Sequence, residues 1–292
     1  MTADNTQNHQ SIERLLQAGT RRLEEAGVES PRREARLLLQ HALGLSAEQM
    51  LARSARESVP ASLFLSWLER RARHEPFAYI TGSKGFWSLD LAVSGASLVP
   101  RADTETLVEC VLEHCPDQTR ALSVLDLGTG SGCLLLAVLA EYPAAWGIGI
   151  DINPKAAALA RSNAERSGLA GRAAMLAGEW TQALAGHARF DVVVSNPPYI
   201  PTQDLDTLMP EVREHEPVAA LDGGADGLDA YRVLCQCLPS LLAPGGIGVF
   251  EIGIGQETAL RDLARQAGLN VVAVQPDLGG IPRAVVLRAA DA

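Results

Sequence analysis

The chain is predicted to be an α/β protein, a doubly wound and mostly parallel sheet with helices on both faces, preceded by a small all-α bundle. Three observations predict this. Beyond residue 101, apolar runs of strand length alternate with helix-periodic segments. Residues 11 to about 75 carry helix punctuation with no strand-like alternation. Between them lies a stretch rich in glycine and aromatics that reads as a β-hairpin joining two domains. The expected division is 1–78 for the bundle, 79–100 for the hairpin linker and 101–292 for the α/β domain.

In the bundle, "SIERLLQAGTRRLEEAG" places Leu15, Leu16, Ala18 and Leu23 on one stripe and stops at Gly27. "SPRREARLLLQHALG" opens with Ser30 as N-cap and Pro31 in the first helical position, and ends at Gly44. Ser46-Ala47-Glu48-Gln49 fits a capping box before a third helix, and Pro60 or Ser62 starts a fourth that runs through Trp67 to Arg73. In the linker, Gly82, Gly85 and Gly95 mark the bends. Strands then follow in "ALSVLDLG", "WGIGIDI", "AAMLAGE", "FDVVVSN", "GIGVFEIG", "VVAVQPD" and "RAVVLRA", seven in all, with a long helix around Tyr231 to Leu242.

With 292 residues and 47% hydrophobic content, the chain can bury two cores without help from disulfides or metal. No window approaches the roughly 18 apolar residues that a membrane span requires. The polar start, MTADNTQNHQ, reads as a frayed tail and not a signal peptide, so a cytoplasmic protein is expected. Cys110, Cys115, Cys133, Cys235 and Cys237 form no C-x-x-C, and the six histidines show no metal-ligand spacing, so neither disulfides nor a metal are expected. A net charge of −10 argues against a broad phosphate-neutralising surface, and hence against direct nucleic-acid binding.

The first strand of the α/β part, Val124-Leu125-Asp126-Leu127, runs into Gly128-Thr129-Gly130-Ser131-Gly132 and then a helix. Such glycines let the backbone bend tightly and bring a ligand close to a helix N-terminus. Asp151 ends the second strand, where a carboxylate can accept both hydroxyls of an adenosine ribose. The spacing is G-x-G-x-G, unlike the dinucleotide pattern, and Asp126 before the first glycine would sit badly beside a pyrophosphate. This stretch resembles motif I of the class I S-adenosylmethionine (SAM)-dependent methyltransferases. The resemblance implies a seven-stranded Rossmann-like sheet of order 3-2-1-4-5-7-6 with strand seven antiparallel. It implies SAM as cofactor, with Asp126, the run Gly128 to Gly132 and Asp151 in its site. It also places Glu179 near the adenine amine and Trp180 against the ring; ordinary core is the competing reading of Trp180.

"SNPPYI" follows "FDVVV" at the end of strand four. A proline pair alone does no more than end a strand. In the SAM fold, however, this point lies beside the transferable methyl. A planar NH₂ conjugated to a carbonyl or ring is a poor nucleophile because its lone pair is delocalised, as the barrier of about 18–20 kcal/mol to peptide C–N rotation attests. Two acceptors, the Asn196 side-chain carbonyl and the Pro197 backbone carbonyl, can hold such a nitrogen with its lone pair aimed at the methyl. Proline suits this because it is rigid and carries no donor. Pro198 continues the rigid loop, and Tyr199 can pack against the flat group. The motif serves adenine, cytosine, guanine and glutamine amines alike.

Further stretches are similar to the HemK/PrmC family, the glutamine methyltransferases of peptide-chain release factors. They are "EPFAYITGSKGFWSLDLAV" (75–93), "VPRADTETLVE" (99–109), "VLDLGTGSGCLLLA" (124–137), "FDVVVSNPPYI" (190–200), "HEPVAALDGGADGLDAYR" (215–232) and "LAPGGIGVFEIGIGQ" (242–256). The resemblance spans about residues 30 to 288. It implies a helical N-terminal domain that helps grip the substrate, and methylation of the glutamine in the Gly-Gly-Gln tripeptide of class-one release factors. By position, Gly128 to Gly132, Asp151, Trp180 and Asn196 would contact SAM, and Asn196 to Tyr199 would grip the glutamine. In Pro100-Arg101-Ala102-Asp103-Thr104-Glu105 the family's usual second proline is missing, and Asp103 is expected to cap the helix beginning there. Arg101 and Glu105 read either as the mouth of the site or as a surface ion pair. The polar segment 201–226 reads as a loop over the substrate side, ordered by the partner, or as disorder without function. The competing functional readings are an adenine N6 or guanine N2 methyltransferase acting on nucleic acid, and a SAM-fold binding module without catalysis.

Overall fold

The structure, a computed structural model, describes residues 9–290 and divides into two compact units. One comprises the chain up to Gly82 together with Met209–His215; the other comprises Ser83–Leu208 and the chain from Glu216 onward. The polar tail read as frayed lies, for residues 1–8, outside the described residues.

The first unit is helical: β1 (His9–Ser11), α1 (Ile12–Glu25), α2 (Pro31–Ala42), α3 (Ala47–Ala52), β2 (Ser58–Pro60), α4 (Ser62–Arg71) and α5 (Phe77–Thr81). Its core gathers Leu15, Leu23, Leu38, Leu39, Phe64 and Leu68. On α1 the buried stripe runs through Gly19 and not Ala18. A Cβ at Gly19 would lie 2.8 Å from Phe64 Cζ and 3.2 Å from Ala35 Cβ, so the backbone itself is the packing surface there. The expected capping box is present: Gln49 N donates to Ser46 Oγ (3.1 Å), and Ser46 N donates to Gln49 Oε1 (2.8 Å). Ser30 holds the N-cap position of α2 in a left-handed conformation (φ 50°), and its side chain makes no capping hydrogen bond. Contrary to the all-helical expectation, β1 and β2 pair antiparallel, and three-residue strands are too short to show alternation. Arg71, buried, pairs with Glu34 (2.9 Å) and with Glu211 of the Met209–His215 segment (2.8 Å).

The stretch 79–100 is only partly a hairpin. Residues to Thr81 belong to α5, which stops at Gly82 (φ 80°), a conformation glycine adopts without strain. The hairpin proper is β3 (Ser83–Phe86) with β4 (Leu89–Ala92), and its bend falls at Trp87 (φ 54°), not at Gly85 or Gly95. It groups with the second unit.

That unit continues with α6 (Glu105–His114), β5 (Ser123–Leu127), α7 (Cys133–Glu141), β6 (Trp146–Asp151), α8 (Pro154–Arg166), β7 (Ala173–Ala177) and β8 (Phe190–Ser195). The single turn α9 (Pro210–Arg213) lies in the segment grouped with the helical unit. Then come α10 (Asp229–Leu241), β9 (Leu242–Glu251), α11 (Glu257–Gln266), β10 (Leu269–Pro276) and β11 (Pro282–Ala289). The seven-stranded sheet has the order β7-β6-β5-β8-β9-β11-β10, with β11 antiparallel to both neighbours. Counted within the sheet this is 3-2-1-4-5-7-6, the order expected of a class I methyltransferase. Strand side chains alternate between two cores: Val124, Val192 and Val194 on one face, Leu125 and Val193 on the other.

Two details place the site. Asn163 on α8 is fully buried and makes three hydrogen bonds to two backbone segments: its Nδ2 donates to Ala92 O (3.0 Å) and Ser131 O (2.9 Å), and its Oδ1 accepts from Ala92 N (2.8 Å). The hairpin and the loop after β5 are therefore held by one carboxamide. The segment 201–226 is ordered by its own backbone. Ile200 N donates to Leu221 O (3.0 Å), Thr202 N to Gly224 O (2.9 Å) and Gly223 N to Ile200 O (2.8 Å). Short 3₁₀ turns at Thr202–Thr207 and Val218–Ala220 explain why no periodicity marks it in sequence.

Among the described residues no helix is long and apolar enough to cross a membrane. In β6, a Cβ at Gly147 would meet Leu135 Cδ1 at 2.4 Å and the Val124 carbonyl oxygen at 2.8 Å, and the backbone atom cannot move aside cheaply. Gly147→Ala is expected to lower stability by about 1–3 kcal/mol, the usual cost of overpacking, seen as a reduced urea midpoint at unchanged m-value.

Candidate functional site

The strand order reverses direction around β5, and there a pocket of about 240 Å³ opens at the carboxyl ends of the parallel strands. Gly128 and Gly130 line it from the loop after β5, Asp151 from the end of β6, Glu179 and Trp180 from the segment after β7, and Asn196 and Pro198 from the exit of β8. Seven of the residues singled out in sequence thus converge on one cavity. Thr129, Ser131, Gly132 and Asp126 stand behind it, buried, and shape the loop without lining the pocket.

The loop after β5 depends on positive φ at Gly128 (76°), Gly130 (56°) and Gly132 (84°). Gly128 N and Thr129 N both donate to the Ile150 carbonyl (2.9 and 3.0 Å), which ties the loop to β6. Asp151 then clamps it from the side: Oδ2 accepts from Gly130 N (2.8 Å) and Oδ1 from Asn153 N (2.8 Å). Each carboxylate oxygen keeps a further lone pair for a ligand hydroxyl. Burial pushes the Asp151 carboxyl up, against these two N–H bonds.

Asp126 is buried at the end of β5. Its Oδ2 accepts from Thr129 Oγ1 (2.6 Å) and Leu135 N (3.3 Å), while Oδ1 has no hydrogen-bond partner. Desolvation pushes its carboxyl up to about 7, and the Thr129 and Leu135 donors offset only part of that rise.

Trp180 takes a left-handed backbone conformation (φ 46°), rare for a bulky side chain. It packs against the core cluster and also lines the pocket. Glu179 is exposed, its Oε2 accepting from Gln182 Nε2 (3.0 Å). At the exit of β8, Asn196 Nδ2 donates to Thr104 Oγ1 (3.1 Å). Pro197 is buried, and Tyr199 points its hydroxyl at Glu251 Oε1 (3.1 Å) instead of lining the pocket.

Several pocket residues carried no signal in sequence. Ser97 and Leu98 come from the stretch after the hairpin, Ile152 follows Asp151, and Pro217 and Ala220 come from the segment over the site. Ile152 is 64% exposed, large and apolar at the pocket wall, which is a signal only once the fold is known. Asp103 makes no cap: a 3₁₀ turn, Ala102–Thr104, precedes α6, and Asp103 instead faces Arg283 (3.5 Å). Arg101 pairs with the buried Glu216 (2.6 Å), and Glu105 Oε1 accepts from Trp87 N (2.7 Å); neither lines the pocket.

Comparison with known proteins places this geometry. The PrmC N-terminal domain profile matches residues 14–82, and the Methyltransferase small domain profile matches residues 101–212. A release factor glutamine methyltransferase of Rhodospirillum rubrum is 48% identical over 94% of this chain and 84% of its own length. One of Caulobacter vibrioides is 48% identical over 91% of this chain and 92% of its own. The chain belongs to the release factor glutamine methyltransferase family. A solved methyltransferase from Pyrococcus furiosus, 15% identical, shares the fold with a TM-score of 0.51 over 71% of this chain and 92% of its own.

In this family member the five cysteines are free, and among the described residues no group of His, Cys, Asp and Glu could hold a metal ion. The raised Asp126 carboxyl makes a prediction about the ligand-free methyltransferase. Because its folded value lies above its ordinary one, folding takes up a proton between about pH 4 and 7, so the Asp126 contribution to stability is present in acid and lost as pH rises through about 7. The difference in Tm between wild type and Asp126→Asn is therefore expected to shift against wild type from pH 4 to pH 7.5, measured by calorimetry. A difference flat across that range would show that Asp126 titrates normally.

Proposed function

We propose that this chain transfers a methyl group from S-adenosylmethionine to the side-chain amide nitrogen of the glutamine in the Gly-Gly-Gln motif of class-one peptide-chain release factors. The observation that carries this reading is the position of Asn196, on the same pocket as Gly128, Gly130 and Asp151, in a chain 48% identical to named release factor glutamine methyltransferases.

The residues present fit SAM. Asp151 offers lone pairs to the ribose hydroxyls, Ile152 and Trp180 offer apolar surface to the adenine, and Glu179 is available to its amine. Asp126 stands behind the pocket, and its buried oxygen lacking any hydrogen-bond partner would have to be uncovered to meet the cationic amino group of the methionine end. The glycines at Gly128 and Gly130 keep side-chain bulk out of the cradle. When bound, SAM supplies a methyl activated by its sulfonium.

The protein's own contribution is positioning. The Asn196 Oδ1 and the Pro197 carbonyl would each accept one N–H of the glutamine carboxamide, turning the nitrogen lone pair toward the methyl. Holding two reactants in line supplies on the order of 7–11 kcal/mol, against about 1 kcal/mol for a single hydrogen bond, so orientation dominates. No strong base is required, because methylation itself acidifies the N–H and water can take the proton. Tyr199 braces the loop: its hydroxyl donates to Glu251, and its carbonyl accepts from Gln256 Nε2 (2.9 Å). The helical unit, by the same family reading, helps grip the release factor, and a cytoplasmic location fits a substrate that works in translation.

The test is labelled SAM with purified release factor and, separately, deproteinised RNA and DNA. Label on the release factor, abolished when its Gly-Gly-Gln glutamine is replaced, is the expected result; label on nucleic acid alone overturns the proposal in favour of a nucleic-acid amine methyltransferase. Asn196→Ala is expected to leave SAM affinity within a few fold, by calorimetric titration, while cutting methyl transfer by orders of magnitude. Equal loss of both would make Asn196 mainly a cofactor residue.

A further inference from the structure

A carboxamide is nearly symmetric in shape. Exchanging its oxygen and its NH₂ changes no packing, so the side chain of Asn196 serves as an acceptor only if hydrogen bonding forces the oxygen toward the pocket. The proposed chemistry fails in the inverted orientation, because an NH₂ aimed at the glutamine nitrogen repels its N–H groups.

The structure contains a chain of bonds that breaks this symmetry. Glu251, at the end of β9, is 2% exposed. Its Oε2 accepts from Thr104 Oγ1 at 2.6 Å. In its ionised form Glu251 has no proton to give, so the single hydroxyl proton of Thr104 is then committed to it. What Thr104 presents to Asn196 is then lone pairs alone, and the group 3.1 Å away must be the NH₂. Glu251 is itself fixed in place: Oε1 accepts from Tyr199 Oη (3.1 Å), the backbone carbonyl accepts from Tyr231 Oη (2.8 Å), and Arg283 adds favourable charge.

We propose that Glu251 and Thr104 are positioning residues that act through Asn196, committing its NH₂ away from the pocket and its Oδ1 toward the incoming amide. This rests on the reading of Asn196 given above. The acidic residue in "VFEIGIGQ" thereby gains a task that no local pattern suggested. The Thr104–Glu251 pair is 147 residues apart in sequence, and the Asn196–Thr104 pair 92.

The experiment has an activity arm and a spectroscopic arm. In Thr104→Val, which keeps the volume and removes the hydroxyl, kcat is expected to fall roughly 10²-fold, the scale of a misplacement of about 1 Å, with SAM Kd and release-factor KM within a few fold of wild type. Thr104→Ser is expected to restore most of that loss; Thr104→Ala replaces Thr104→Val if the valine does not fold. In an Asn196→Ala background Thr104→Val is expected to cause no further loss, because both act through one group. Wild-type kcat in Thr104→Val, or losses that multiply in the double variant, overturns the proposal. The spectroscopic arm follows the ¹⁵N side-chain NH₂ resonances of Asn196, which are expected to shift and exchange faster in Thr104→Val, and to shift, broaden or double in Glu251→Gln. Unchanged resonances in both variants overturn the proposal whatever the acceptor proves to be. Wild-type failure to label a release factor would overturn the functional reading alone, leaving this arm to decide the orientation.

Discussion

Two buried carboxylates bracket the exit of β8, and the architecture of the site depends on them. In the sheet β8 lies between β5 and β9, with Val194 opposite Asp126 on one side and Ser195 opposite Phe250 on the other. Asp126 is the last residue but one of β5, Glu251 closes β9, and Asn196 is the first residue beyond β8. Each carboxyl is pushed up by desolvation and opposed by hydroxyl donors, Thr129 for Asp126, Thr104 and Tyr199 for Glu251. Burying such groups costs several kcal/mol, which hydrogen bonds offset only in part, Asp126 Oδ1 having none, so the donors that do reach them are constrained to narrow positions. The side chains that point into the pocket inherit that constraint.

The glycines are best understood through the same carboxylates. A Cβ at Gly149, in β6, would lie 2.7 Å from Thr129 Oγ1 and 2.7 Å from Met175 Sδ. That glycine therefore makes room for the hydroxyl that supports Asp126, two strands' width of consequence from one missing methyl. Gly132 serves the next layer: a Cβ there would press on Ala160 Cβ at 3.1 Å, on the helix that also carries Asn163. Since Asn163 holds both the β3–β4 hairpin and the Ser131 carbonyl, the loop after β5 is positioned jointly by a strand, a helix and a hairpin.

What was legible in sequence was whatever a short window encodes. Alternating strand and helix periods gave the sheet and its seven strands, and the G-x-G-x-G run and the Asn-Pro-Pro-Tyr motif marked the two lips of the pocket. Features that depend on partners far away in the chain were not legible. Asp103 looked like a cap because the window could not show the 3₁₀ turn that displaces α6 or the arginine 180 positions on that draws the carboxylate away. The stripe of α1 was drawn through Ala18, when the close approach of Phe64 and Ala35 puts Gly19 on it instead. The segment 201–226 read as a loop awaiting a partner to order it, because the order it has comes from backbone bonds to Ile200 and Leu221 and from turns with no helical or strand period.

The Arg101–Glu216 pair shows why exposure must be judged separately for the two partners. An ion pair at the surface contributes about 0–1 kcal/mol, and half of this pair is at the surface: the Arg101 side chain is 39% exposed. The Glu216 side chain is 1% exposed, so its carboxylate has already lost its water. Removing the guanidinium therefore costs more than a surface pair is worth, because one partner of a dehydrated carboxylate is lost. The response open to the chain is to bring Glu216 back to water, and Pro217 and Ala220, which line the pocket, follow it directly in sequence. The wall of the pocket contributed by this segment thus begins beside a residue anchored by an ion pair.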